Sequence, residues 1–311
     1  MGHLNDKART ILSCAISNRT KKIYFHYWKQ YVTFCRETDV PFSFPVSEAC
    51  LLNFLAHLMF KGYKVGTVAS HASALAYIHK LFGHADFSGS FFLKQFLKGA
   101  NNFSVDNNQP DSRLPITFSL LSKIILSLPK VIINTYERVL FATMCILAFQ
   151  GFLRIGEICV KSSAEDNVKT VLQYHDVQVR QIEDKTGVEV RLQKFKHGKH
   201  PVMLFLPENT DQCICPVAIT KLYLAQAPNR GGPFFQHLNK SPVTYQVFSS
   251  YLKSVITFLG LDSTRYKSHS FRIGAATHAA AKGFSEEAIK RMGRWRSNAL
   301  QNYIRMPVVS L

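Results

Sequence analysis

Along most of this chain apolar residues recur three and four positions apart, and only between residues 171 and 206 do they alternate every second position. A period near 3.6 builds helices with one buried stripe, whereas a period of two builds strands with one buried face. The two periods together predict a mainly α protein with one small antiparallel β-sheet. Ser17 is placed to cap a helix in which Ile23, Tyr27, Tyr31 and Phe34 share a face. After the turn-rich stretch Asp39 to Pro45, Ser47 caps a second helix with Leu51, Leu52, Leu55 and Leu58 on one side, closed by Gly62. Thr67 opens a third, whose small residues Ala69, Ala72, Ser73 and Ala76 permit close packing, and Phe91 to Leu97 reads as a short fourth.

Residues 101–115 hold four asparagines, two prolines and two aspartates with little apolar content, the composition of a linker. It separates a helical domain at residues 1–100 from a second domain at 116–311. The second begins with a helix from Phe118 to Leu128 and a long buried helix from about Thr135 to Gly151. Strands follow at Val177 to Ile182, Val188 to Leu192 and Val202 to Leu206, with turns at Asp184 to Gly187 and His197 to Lys199. From Thr244 to Tyr303 the pattern is helical again. At 311 residues, two domains are the expected division, because a single core seldom keeps growing at this size.

Charge narrows the partners. The chain carries 38 Lys and Arg against 20 Asp and Glu, and the excess is not a tail: 12 basic against 6 acidic residues precede position 111, and 26 against 14 follow. A basic surplus in both halves fits a polyanion, since Lys and Arg neutralising phosphates supply most non-specific DNA affinity. The longest apolar run, Val139 to Phe149, falls short of the roughly 20 residues a membrane span needs, so no membrane partner is expected. The N-terminus lacks the pattern of a secretory signal. Seven cysteines fit reduced thiols, and the close pair Cys213 and Cys215 lacks zinc-ligand spacing, so no metal site is expected.

The residues suited to chemistry gather late in the chain. His269-Ser270-Phe271-Arg272 sets a proton-transfer group three positions from a phosphate-gripping fork, with Trp295 and the phenol of Tyr303 further on. Arg154, directly after an apolar helix in Gly151-Phe152-Leu153-Arg154-Ile155-Gly156-Glu157, needs an anionic partner. A salt bridge to Glu157 or a bound phosphate satisfies that need equally well. Lys196 stands in a basic turn with Lys194, Lys199 and His200.

In this order Arg154, Lys196, His269, Arg272, Trp295 and Tyr303 resemble the tyrosine recombinase (phage integrase) family. His269 to His278 and Gly293 to Arg305 are most similar to the recombinases of DIRS-, Ngaro- and crypton-type mobile elements of eukaryotes. The likeness runs over nearly the whole chain, and Ser17 to Thr20 with Tyr24 and Trp28 is similar to the first helix of the family's core-binding domain. It implies a helical, SAM-like core-binding domain plus an α+β catalytic domain that together clamp double-stranded DNA. It further implies that Arg154 and Arg272 hold the scissile phosphate, Tyr303 attacks it to leave a 3′-phosphotyrosine, and Lys196 protonates the departing 5′ oxygen. Lys194 is the other candidate for that proton. His269 would assist proton transfer, Trp295 would donate its indole N–H to the phosphate, and Glu157 would orient Arg154 or the lysine. Arg19, Lys21, Lys22, Lys194, Lys199 and Arg294 are the basic positions expected to meet DNA. No cofactor is implied, because a phosphodiester is exchanged for a phosphotyrosine of similar energy. Self-association on paired DNA sites and a nuclear location follow from the same resemblance, although no run of five basic residues marks an import signal. A catalytically silent DNA-binding derivative and a type IB topoisomerase-like enzyme are the rival readings.

Overall fold

The computed structural model describes residues 4–104, 112–161, 168–193, 200–227, 231–295, 300, 301 and 303–305. The chain divides into two compact units, Met1–Asp111 and Ser112–Leu311.

The N-terminal unit is helical: α1 (Asp6–Ser13), α2 (Asn18–Glu37), α3 (Glu48–Phe60), α4 (Val65–Leu81) and α5 (Phe91–Phe103). Ser17, Ser47 and Ser90 cap α2, α3 and α5, each accepting a hydrogen bond from a first-turn amide that would otherwise lack a partner. Tyr31 and Phe34 of α2, Leu51, Phe54 and Leu55 of α3, and Val68, Ala72 and Leu75 of α4 close one core. Several boundaries differ from the sequence reading. α4 begins at Val65 rather than Thr67, on Lys64, which provides no side-chain cap. Ser73 lies on its solvent side, where the hydroxyl donates to the Ala69 carbonyl. α1 gives no apolar signal because it buries none of its residues. α5 runs six residues past Leu97, and Asn101 donates its side-chain amide back to the Leu97 carbonyl at 2.9 Å, so part of the expected linker is helix.

In the C-terminal unit α6 (Phe118–Val131) precedes α7 (Thr135–Gln150), whose residues 139–149 are all buried. After the short α8 (Ile155–Ile158), strands β1 (Val177–Ile182), β2 (Lys185–Leu192) and β3 (Val202–Pro207) form one antiparallel sheet in sequence order. The turn between β1 and β2 is Glu183-Asp184 alone, because Ile182 already pairs with Lys185 and Glu183 takes a left-handed φ of 52°. Gly187, expected in that turn, lies instead within β2, where any side chain would collide with the Phe205 ring. The helices α9 (Pro216–Gln226), α10 (Tyr245–Phe258), α11 (Ser268–Ala281) and α12 (Glu286–Gly293) complete the unit.

Burial of α7 on every side explains its all-round apolarity: α6, α9 and α11 pack against it, and α9 also carries the sheet. Gly274 lets α11 approach closely, since a Cβ there would strike the Ile116 carbonyl oxygen. No helix among the described residues is long and apolar enough to cross a membrane. No group of three or more metal-ligating His, Cys, Asp or Glu occurs among them either.

Candidate active site

The site forms where α7 ends. Gly151 terminates the helix, and its amide donates to the Leu147 carbonyl at 2.9 Å. Phe152 then adopts a left-handed φ of 48°, a conformation costly for a bulky residue. Two arginines distant in sequence donate to its carbonyl: Arg272 through Nη1, and Arg294 through Nη2 at 3.0 Å.

Arg154 follows as the N-cap of α8. Its amide donates to Glu157 Oε2 at 2.8 Å and its Nη1 to Glu157 Oε1 at 3.0 Å, so the salt bridge that the sequence allowed is present. Glu157, only 6 % exposed, also accepts from Arg294 Nη2 at 2.9 Å through Oε2. Arg294 ends α12 with a φ of 55°, and this left-handed turn swings its side chain inward, where Nη1 reaches the Gly151 carbonyl at 3.2 Å. The residue expected to meet DNA is therefore buried. Its donors serve the protein interior and are not displayed on a surface, which corrects the sequence reading.

Arg272 lies in the first half of α11 and is 1 % exposed. Its Nη2 donates to the Gly293 carbonyl at 2.8 Å, while its Nε has no partner among the described residues. The Nε of Arg294 is likewise unpartnered there. The guanidinium carbon of Arg272 sits 4.5 Å from the centroid of the Trp295 ring and 5.8 Å from that of Tyr303. Gly293 makes room for this stack, because a Cβ on it would run into the Trp295 indole. Burial, followed by the positive charges of Arg154 and Arg294, pushes Arg272 down to about 9. Burial lowers Arg294 as well, opposed by Glu157.

The aromatic wall continues to the last described residues. The ring centroids of Trp295 and Tyr303 are 4.9 Å apart, and those of His269 and Tyr303 are 6.4 Å apart. Thr277 fastens Tyr303 in place: its hydroxyl donates to the Tyr303 carbonyl at 3.4 Å and accepts from the Arg305 amide at 3.0 Å. The sequence reading passed over Thr277, although it stands eight positions after His269 and hence on the same face of one helix. It also passed over Phe152, whose apolar side chain gave no sign of the role of its carbonyl.

Arg154, Glu157, His269, Arg272, Trp295 and Tyr303 thus come together within one unit. Lys194, Lys196 and Lys199 lie outside the described residues. Arg19 and Lys22 are exposed and Lys21 half-buried at the start of α2, in the other unit. Chemically, among the described residues three guanidiniums gather around a single carboxylate, which leaves an excess of positive charge beside the half-buried phenol of Tyr303. Such a cluster suits a doubly coordinated anion next to a nucleophile.

No protein-family model matches the chain, and no curated protein matches it in sequence. Solved structures do. The XerH site-specific recombinase bound to palindromic difH substrate in a post-cleavage complex aligns with a TM-score of 0.58 at 15 % identity, over 93 % of this chain and 76 % of that one. The Tn1549 transposon integrase in complex with circular intermediate DNA gives 0.59 at 11 % identity, over 97 % and 94 %. A lambda integrase dimer bound to a COC′ core site gives 0.54 at 13 % identity, again over 97 % and 94 %. At such identities the likeness speaks for architecture, and on that ground this chain has the fold of the tyrosine recombinases and integrases.

Proposed function

We propose that this protein is a site-specific DNA recombinase that cleaves and rejoins duplex DNA through a 3′-phosphotyrosine intermediate. The observation that carries the reading is the buried Arg272, charged and, among the described residues, in surplus over one nearby carboxylate and with an Nε that has no partner. A buried cation left short of partners is costly unless a ligand completes it. A phosphodiester supplies the missing charge and acceptors.

In this mechanism Arg154 and Arg272 hold the non-bridging oxygens and stabilise the charge that builds in the pentavalent transition state. The Tyr303 Oη attacks phosphorus, and His269 assists removal of its proton. The P–O bond to the 5′ carbon breaks as the bond to Tyr303 forms, and Lys196 delivers a proton to the leaving oxygen. Trp295 donates its indole N–H to the phosphate and walls the site from water. In the reverse direction a 5′-hydroxyl from a second duplex displaces Tyr303. Arg19, Lys21 and Lys22 of the helical unit contribute to backbone binding. Self-association on paired sites, an origin in a DIRS-, Ngaro- or crypton-type mobile element and action in the nucleus complete the proposal.

Covalent trapping on suicide duplexes drawn from a random library tests it. Wild-type protein is expected to yield a protease-sensitive protein–DNA adduct that is absent with Tyr303→Phe. DNA retained equally by both proteins without any adduct would sink the reading in favour of a binding-only derivative.

A further inference from the structure

We propose that Arg294 is a positioning residue that keeps Arg154 available to an anion by occupying one half of Glu157. This rests on the phosphate-binding reading of the site given above. Glu157 divides its carboxylate: Oε1 accepts from Arg154 Nη1 at 3.0 Å, and Oε2 accepts from Arg294 Nη2 at 2.9 Å and from the Arg154 amide at 2.8 Å. A carboxylate and a guanidinium left alone prefer two parallel hydrogen bonds, fork to fork. Arg154 and Glu157 are three residues apart, and Arg154 makes only one such side-chain bond. The second oxygen is held by Arg294.

Arg294 is built into this position. It spans three segments, donating to the Gly151 and Met292 carbonyls through Nη1 and to Phe152 and Glu157 through Nη2. Its second effect passes through the Phe152 carbonyl, which it shares with Arg272. One residue thus sets the spacing of both anion-holding guanidiniums without itself presenting a donor pair to solvent. Lysine cannot replace it, because a single ammonium does not reach three carbonyls and a carboxylate in a planar fork.

Loss of Arg294 therefore vacates one acceptor position on Oε2, which keeps the Arg154 amide; Glu157 then captures the Arg154 guanidinium in a bidentate pair, and the site loses one grip on phosphate. Removing the charge of Glu157 in the same molecule releases Arg154 again. Glu157→Gln is suited to this, since its amide oxygen still caps the Arg154 amide. A merely structural pair in direct contact would be coupled in stability alone; here the response to phosphate is itself restored by the second substitution.

The test has two independent readouts on the full chain. In the first, thermal melts are recorded with and without inorganic phosphate. Wild type is expected to be stabilised, Arg294→Gln to lose most of that stabilisation, and the double variant Glu157→Gln/Arg294→Gln to regain it. In the second, single-turnover adduct formation on the suicide duplex is expected to slow on the order of 100-fold in Arg294→Gln, to remain slow in Arg294→Lys, and to recover in part in the double variant. An Arg294→Gln protein that responds to phosphate like wild type, or a double variant no better than the single one, overturns the proposal. Phosphate responses that follow the expected order while wild type forms no adduct would uphold the positioning role and remove the recombinase reading alone.

Discussion

In the N-terminal unit His71 is fully buried, with its Nδ1 2.8 Å from the Thr67 carbonyl and its Nε2 2.7 Å from Gln30 Oε1. His79 is held likewise between the Val46 amide at 3.1 Å and the Ala85 carbonyl at 3.0 Å. In the C-terminal unit Arg272 and Arg294 are also buried, yet each keeps an Nε without a partner among the described residues. The histidines occupy polar niches whose partners are all supplied by the fold. The arginines occupy one that the described residues leave short of both charge and acceptors. Burial alone does not mark a functional side chain; a buried cation whose partners among the described residues are incomplete is the stronger sign, because an anionic ligand can complete it.

The sharpest way to break this contrast is Arg272→Met. Adduct formation is expected to fall by ~10³-fold or more, the scale of losing a principal charge stabiliser. Tm is expected to stay within a few degrees, because the lost carbonyl contacts are offset by removal of an undercompensated charge. Collapse of the fold in urea melts would place Arg272 with the histidines. The mirror substitution is His71→Phe, expected to cost about 2 kcal/mol by stranding the polar group of Gln30. Hydrogen exchange should register the loss in α2 to α4 with no change in the phosphate response of the other unit, and a diminished response would contradict the separation drawn here.

The smallest effects are read by pH. Burial holds His71 below its ordinary value of 6.5. Below about 6.5 the unfolded chain therefore binds a proton that the folded chain refuses, and stability falls as pH drops through that value. His71→Phe should remove that contribution from the acid limb of the melting curve. Arg272 acts at the other end. Burial lowers it from its ordinary value, yet a guanidinium keeps its proton well above neutrality, so phosphate stabilisation should persist from pH 7 to about pH 9. A response lost within this range would show that another, titrating group holds the anion.

Much of the architecture is legible in the sequence because it depends on local rules. Ser17 and Ser47 are read as caps and act as caps, and the alternation at residues 177–182 becomes a strand. Glu157 was legible as the partner of Arg154 because helical spacing places them together. Arg294 was not, since its role depends on a left-handed turn at the end of α12 that sends adjacent side chains, Arg294 and Trp295, to different tasks. A basic residue beside a tryptophan has the same letters whether it faces solvent or the interior. Nor does the pattern disclose that Phe152 works through its carbonyl, because main-chain groups leave no trace in side-chain identity.

The residues that enter the C-terminal unit are tied to α11 and the turn that leads into it before they reach any other helix. The Ser112 carbonyl accepts from Arg265 Nε at 3.1 Å, the Leu114 amide donates to the Arg265 carbonyl at 2.8 Å, and the Ile116 amide donates to the Ser270 carbonyl at 3.0 Å. Gly274 then seats the helix directly on the Ile116 backbone. Tension in the chain preceding Ser112 would accordingly be delivered first to the helix bearing His269 and Arg272 and to the turn that leads into it.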